Sequence, residues 1–250
     1  MGEIDRKEFF VDADTGMKLM VISKIPRIGR LGQAVLLVHG SGVGWPCWDI
    51  PLRDYSVMDF LAERGLDVYA LECRGYGRST KPNGMEVSAD TMATDIRSVL
   101  LDIMKMSEVD RVSGVGHSSG GTTLLVTGGR YPELLDRMVI IGTPYKKINP
   151  MFLDYAQKVI DSAKVQGGLY PDIINNPAIE AVRTIKVPTL ILNGSNEYVV
   201  DPDDALAMFR DLDTRDKSIV TQPCGFHLMF VEKRGHIGIQ ESILFWIIKR

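Results

Sequence analysis

A chain of 250 residues, 45% apolar and 24% charged, has the composition of an ordinary globular protein and the length of one large α/β domain. Such a chain buries a core of normal size without disulfides or metals; its three cysteines, Cys47, Cys73 and Cys224, lack the paired spacing of a secreted disulfide framework. A net charge of −3 gives no general attraction to nucleic acid or to an anionic membrane. The opening MGEIDRKEFF carries charges where a signal peptide needs an apolar run, and no stretch approaches the ~20 apolar residues that span a bilayer. The expectation is a cytoplasmic protein without stable membrane insertion, its oligomeric state left open.

Two strands, about 7–12 and 17–24, are predicted first, joined by a turn at Asp14-Thr15-Gly16. Short continuous apolar runs then alternate with helical periodicity, the pattern of a mostly parallel sheet covered on both faces. The further strand candidates are 34–38, 67–72, 111–116, 137–142, 188–193 and 217–222, with helices near 55–64, 90–106, 118–131, 203–212 and 236–249. Asp201-Pro202 makes a helix start, an N-cap followed by proline in the first turn. The stretch from about 145 to 186 separates two strands by far more than the usual connection. It reads as a cap inserted over the carboxyl edge of the sheet within a single domain, the alternative being a crossover helix with a long loop.

Residues 114–121, GVGHSSGG, fall where a predicted strand turns into a predicted helix. A nucleophile on so sharp a turn needs small residues two before and two after it, because strand and helix pass close together there. Ser118 has Gly116 and Gly120 at those places; Ser119 would have His117, which fails the test. The N–H of Ser119, at the start of the helix, is placed to stabilise a developing oxyanion. A second N–H is expected from the loop after strand 34–38, His39-Gly40-Ser41-Gly42, from Ser41 or, as the alternative, Gly42. No lysine follows the glycines as in a phosphate-cradling loop, and no G-x-G-x-x-G opens the first strand-to-helix turn.

With these landmarks in order, and with the turn Arg74-Gly75-Tyr76-Gly77-Arg78-Ser79 between them, nearly the whole chain resembles the α/β-hydrolase superfamily. The resemblance implies a mostly parallel central sheet with helices on both faces, and a triad in the chain order serine, acid, histidine. Of the four histidines, His39 lies in the oxyanion loop and His117 in the elbow. His227, in a loop similar to the family's G-x-H loop with Glu232 nearby, is therefore the expected base, and His236 the start of the last helix. Where the family shows Asp after the strand at 188–193, this chain has Glu197, with Asp201 as the runner-up. Glutamate can still orient and balance an imidazolium. The R-G-Y-G-R-S turn is read as structural.

The implied chemistry is acyl transfer through a covalent intermediate on Ser118, with no cofactor and no metal. Serine at the elbow, where related branches carry aspartate, argues against dehalogenase and epoxide hydrolase activities. The expected partner is a small apolar ester-like substrate, whose pocket is assigned to Trp45, Trp48, Met151, Phe152 and Tyr198. The H-G-S-G loop also resembles that of carbon–carbon bond hydrolases acting on ring-cleavage products. Acyltransferases, perhydrolases and non-turnover receptors of the same fold remain alternatives.

Overall fold

A computed structural model of the protein describes residues 3–82, 88–147 and 176–248. Eight strands form one sheet: β1 (Ile4–Asp12), β2 (Lys18–Pro26), β3 (Ala34–Val38), β4 (Asp67–Glu72), β5 (Val112–His117), β6 (Leu135–Ile141), β7 (Thr189–Gly194) and β8 (Lys217–Gln222). Their order across the sheet is β1-β2-β4-β3-β5-β6-β7-β8. Only β2 runs against the rest, pairing antiparallel with both β1 and β4. The helices among the described residues are α1 (Val57–Ala62), α2 (Ala89–Ser107), α3 (Ser119–Arg130), α4 (Ala178–Val182), α5 (Pro202–Asp211) and α6 (His236–Ile248).

Both faces of the sheet are covered, which is why the central strands read as unbroken apolar runs. Alternate residues feed opposite cores. Leu19, Val21, Leu36 and Val38 join one cluster with Ile96 and Val99 of α2 and Leu124 of α3. Their neighbours Met20, Ile22, Val35 and Leu37 join the other, with Val57 and Leu61 of α1 and Ile239, Ile243 and Ile247 of α6. Short polar devices end the elements: Ser56 accepts from Asp59 N–H to cap α1, Ser88 and Thr91 form a capping box on α2, and Asp201 caps α5.

The chain leaves β3 for β4 on one side and returns to β5 on the other. Crevices at such a reversal, beyond the carboxyl ends of the strands, are where open α/β sheets bind ligands. Register then dictates what meets there. Val38 pairs with Gly116 and His117 with Ile141, so Gly40, Ser118 and Gly142 emerge side by side.

The expected cap at 145–186 falls largely outside the described residues. Its two stems do not: Asn176 Nδ2 donates to Pro144 O at 2.9 Å and to Tyr145 O at 3.0 Å. Asp204, at the start of α5, accepts from the amides of Tyr145 and Lys146, both at 2.8 Å. The chain therefore returns at residue 176 to the point that it left at residue 145.

Candidate active site

Ser118 closes β5 and opens α3 with φ 52° and ψ −120°, a region that residues with a Cβ rarely occupy. The strain is enforced from all sides. Ser118 N–H donates to Ile141 O at 2.9 Å, and its carbonyl accepts from Gly121 N–H at 2.9 Å and Thr122 N–H at 3.1 Å. A Cβ at Gly116 would lie 2.7 Å from Gly120 O and from Gly121 Cα; one at Gly120 would lie 2.5 Å from the carbonyl oxygens of Val38 and His39. Gly40 is as constrained, since a Cβ there would lie 2.9 Å from Ser118 Cβ.

The loop after β7 carries Glu197 and the loop after β8 carries His227. His227 Nδ1 donates to Glu197 Oε2 at 3.0 Å, and the glutamate side chain is fully buried. Its other oxygen, Oε1, accepts from the amides of Tyr198 and Val199, both at 2.9 Å. A buried carboxylate is tolerable only with such partners. The two loops are also stitched together by their backbones: Ser195 N–H donates to Gln222 O at 3.0 Å and Asn196 N–H to Gly225 O at 2.9 Å. Glu232 accepts from Phe226 N–H at 3.0 Å, fixing the residue before His227.

His117, beside Ser118, donates from Nε2 to His227 O at 3.0 Å, and the two imidazoles lie 4.6 Å apart. Burial, and next the neighbouring His227, push His117 well below the usual histidine range, so it is neutral and its proton is committed to the His227 carbonyl. Gly40, Ser118, His117, His227 and Glu197 thus form one contiguous group at the carboxyl edge of the sheet. Such a group can activate a hydroxyl, hold an imidazole in one tautomer and balance its charge.

The N–H of Ser119 is the first of α3 and has no acceptor within the helix. The Ser41 loop is set by His39, which is buried, donates from Nδ1 to Gly40 O at 2.9 Å and accepts at Nε2 from Cys73 N–H at 3.1 Å. Tyr76 packs edge-on against His39, ring centres 4.6 Å apart; burial pushes its phenol up to about 12, against the opposing effect of the nearby Gly42 amide and Ser41 hydroxyl. The R-G-Y-G-R-S turn therefore does more than shape its own loop. Arg74 forms a buried pair with Asp95 at 2.6 Å, while Tyr76 reaches the Ser41 loop, a contact that residue order alone does not signal.

The remaining sequence candidates separate clearly. Asp201 accepts from Asp203 N–H at 2.8 Å as the cap of α5, and His236 opens α6, its ring stacked on Tyr55 at 4.1 Å. Trp48, expected at the pocket, is fully buried and stacked on Phe230 at 4.4 Å, and Phe230 in turn meets the His117 ring edge-on at 5.1 Å. Trp45 is half-buried, with the Arg6 guanidinium 5.7 Å from its ring centre. Tyr198 is exposed, its ring 6.1 Å from that of His227. Met151 and Phe152 lie outside the described residues. Among the described residues no three His, Cys, Asp or Glu side chains converge to hold a metal ion, and no helix is long and apolar enough to cross a membrane.

Residues 33–184 match the profile of the alpha/beta hydrolase fold family. An uncharacterized protein of Mycobacterium tuberculosis is 31% identical over 128 residues, 50% of this chain and 34% of that protein. The 2-hydroxy-6-oxo-2,4-heptadienoate hydrolase of Pseudomonas putida is 32% identical over 114 residues, 44% of this chain and 37% of the enzyme. The matched region spans about a third of these relatives' length. A 2-hydroxy-6-oxo-6-(2'-aminophenyl)hexa-2,4-dienoic acid hydrolase of Metapseudomonas resinovorans is 25% identical over 248 residues, 79% of each chain. Among solved structures, an esterase from Exiguobacterium antarcticum superposes with a TM-score of 0.72 at 20% identity, covering 99% of both chains. A serine hydrolase involved in carbazole degradation superposes with a TM-score of 0.70 at 22% identity, covering 98% of this chain and all of the other.

Proposed function

The chain belongs to the alpha/beta hydrolase fold family, and on that premise we propose that it is a serine hydrolase cleaving a small apolar carboxylic ester, lactone or thioester. The observation that carries this reading is the buried Glu197–His227 pair, its carboxylate held by two amides, at the sheet edge where Ser118 sits on a strained turn. Ser118 Oγ attacks the carbonyl carbon and its proton passes to His227 Nε2, since Nδ1 is committed to Glu197. The oxyanion is held by the amides of Ser41 and Ser119. Collapse expels the alcohol or thiol, which takes the proton from His227. Water, deprotonated by the same imidazole, then releases the acid and restores the serine. The insertion at about 145–186, whose chain at residue 176 meets the point left at residue 145, is proposed as the cap over the site.

A second reading is favoured by relatives named as 2-hydroxy-6-oxo-dienoate hydrolases, namely cleavage of a carbon–carbon bond next to a ketone by the same group of residues. Intact mass after exposure to a fluorophosphonate, on wild type and on Ser118→Ala, tests both. A single adduct on the wild type alone is expected, and Ser118→Ala should lose about 10⁶ in turnover. A loss near tenfold sinks the proposal. Turnover of p-nitrophenyl esters against a 2-hydroxy-6-oxo-dienoate then separates the two readings.

A further inference from the structure

Ser41 is exposed and lies between Gly40 and Gly42, the latter at φ +77° with nothing within 4 Å of where its Cβ would be. From behind, the Ser41 amide is held through its own peptide unit, whose Gly40 oxygen accepts from His39 Nδ1 at 2.9 Å. From the front a hydroxyl holds it: Ser41 Oγ donates to Ser119 Oγ at 2.9 Å, across 78 residues of sequence. Tyr76 stands behind it, edge-on to His39 and with its phenol beside the Ser41 hydroxyl. His39 in turn joins the loop after β3 to the turn after β4 through Gly40 O and Cys73 N–H. Three segments that meet only in the folded state thus converge on two serine hydroxyls that the acyl-transfer steps do not use.

We propose that the Ser41–Ser119 hydroxyl pair, backed by Tyr76, is a clasp that fixes the separation of the two oxyanion amides. The inference rests on the hydrolase reading and deepens it: the side chains of Ser41 and Ser119 are positioning groups, distinct from the backbone donors that would touch the substrate. Donors stabilise a developing charge best when they are already in place. Without the clasp only the His39–Gly40 O bond holds the Ser41 amide, with the open Gly42 turn beyond it, and the amide is turned away more of the time. One neutral hydrogen bond shifts such an equilibrium by about fivefold. That loss falls on kcat, because a ground-state carbonyl leans on the oxyanion donors less than the tetrahedral intermediate does.

The test compares Ser41→Ala, Ser119→Ala and the double variant in the full chain, by two independent readouts. Amide hydrogen exchange over residues 40–43, without ligand, should rise about fivefold in each single variant and no further in the double. Fluorophosphonate labelling rate and kcat on p-nitrophenyl acetate should fall by one common factor, at most about fivefold, in all three, with KM and thermal midpoint little changed. A double variant whose exchange rises by the product of the two single effects, about 25-fold, overturns the clasp. So does exchange that is unchanged in the variants while the wild type labels normally, and in that case the hydrolase reading stands. A wild type that takes no label overturns the hydrolase reading, and the clasp's role in an oxyanion hole with it.

Discussion

Glu197 is one methylene longer than the aspartate that the resembling family shows, and the added length is absorbed locally. The side chain bends back so that Oε1 accepts from the two amides that follow it, while Oε2 reaches His227. Gly142, at φ +52°, leaves the space: a Cβ there would lie 3.2 Å from Glu197 Oε2 and 3.3 Å from His227 Nδ1. The proposed hydrolase chemistry requires a carboxylate at this point, because an amide would offer His227 a donor on one rotamer and no charge on either. Glu197→Gln is expected to lower kcat by roughly 10²–10⁴. Asp201→Ala should leave kcat unchanged and cost about 1 kcal/mol of stability in urea titration, the worth of an N-cap. If Asp201→Ala suppresses turnover to the level of Glu197→Gln, the two acids have been assigned the wrong way round. Asp201 was legible as a cap because proline follows it. Glu197 was legible by position, but the amides that hold it were not, since they depend on how seven residues of loop turn.

At the level of elements, α3 is the most informative. Four of its twelve residues, Gly120, Gly121, Gly128 and Gly129, are glycines, each about 1 kcal/mol worse than alanine in a helix. Close approach explains them. Gly120 and Gly121 face Gly116 and the end of β3, while a Cβ at Gly128 would lie 2.8 Å from Met138 Sδ and one at Gly129 would lie 3.2 Å from Ala181 Cβ. Gly120→Ala therefore runs against the propensity scale: the added methyl meets two backbone carbonyls that cannot move aside, and a net loss of about 1–3 kcal/mol is expected in urea unfolding. A gain would mean that β3 and α3 are not held at this distance. The elements themselves were readable because burial on both faces leaves continuous apolar strands between amphipathic helices. Periodicity misses what pairing adds: β1 begins at Ile4, earlier than its apolar pattern, because its ladder with β2 runs on to Pro26. It also cannot tell a fully buried aromatic from a half-buried one, which is why Trp48, stacked on Phe230, reads the same as Trp45.

For the whole molecule, two of the four histidines are buried at the edge where the loops converge, and folding keeps both neutral. His39 uses both ring nitrogens in one tautomer, donating to Gly40 O and accepting from Cys73 N–H; a second ring proton would face that amide hydrogen. Burial accordingly pushes it down to about 4 from the ordinary 6.5, and His117 is driven in the same direction by burial and by His227. In the unfolded chain each titrates near 6.5. The stabilisation is then fully present above that pH. As the pH falls from about 6.5 toward 4, the unfolded state binds protons that the folded state refuses, and stability drops. The His39 contribution alone is up to ~3 kcal/mol across this window. Glu8, whose carboxyl Arg78 and Arg6 hold at about 2, loses its contribution mainly below about pH 4.5, at the lower end of this window. Urea unfolding followed from pH 7 to pH 4.5 should show a steady loss of stability in the wild type and a shallower one in His39→Asn. A flat wild-type profile over this range, or equal slopes in the two proteins, would mean that the loop opens to admit the proton, and that the edge carrying Ser41 is not locked in the resting fold.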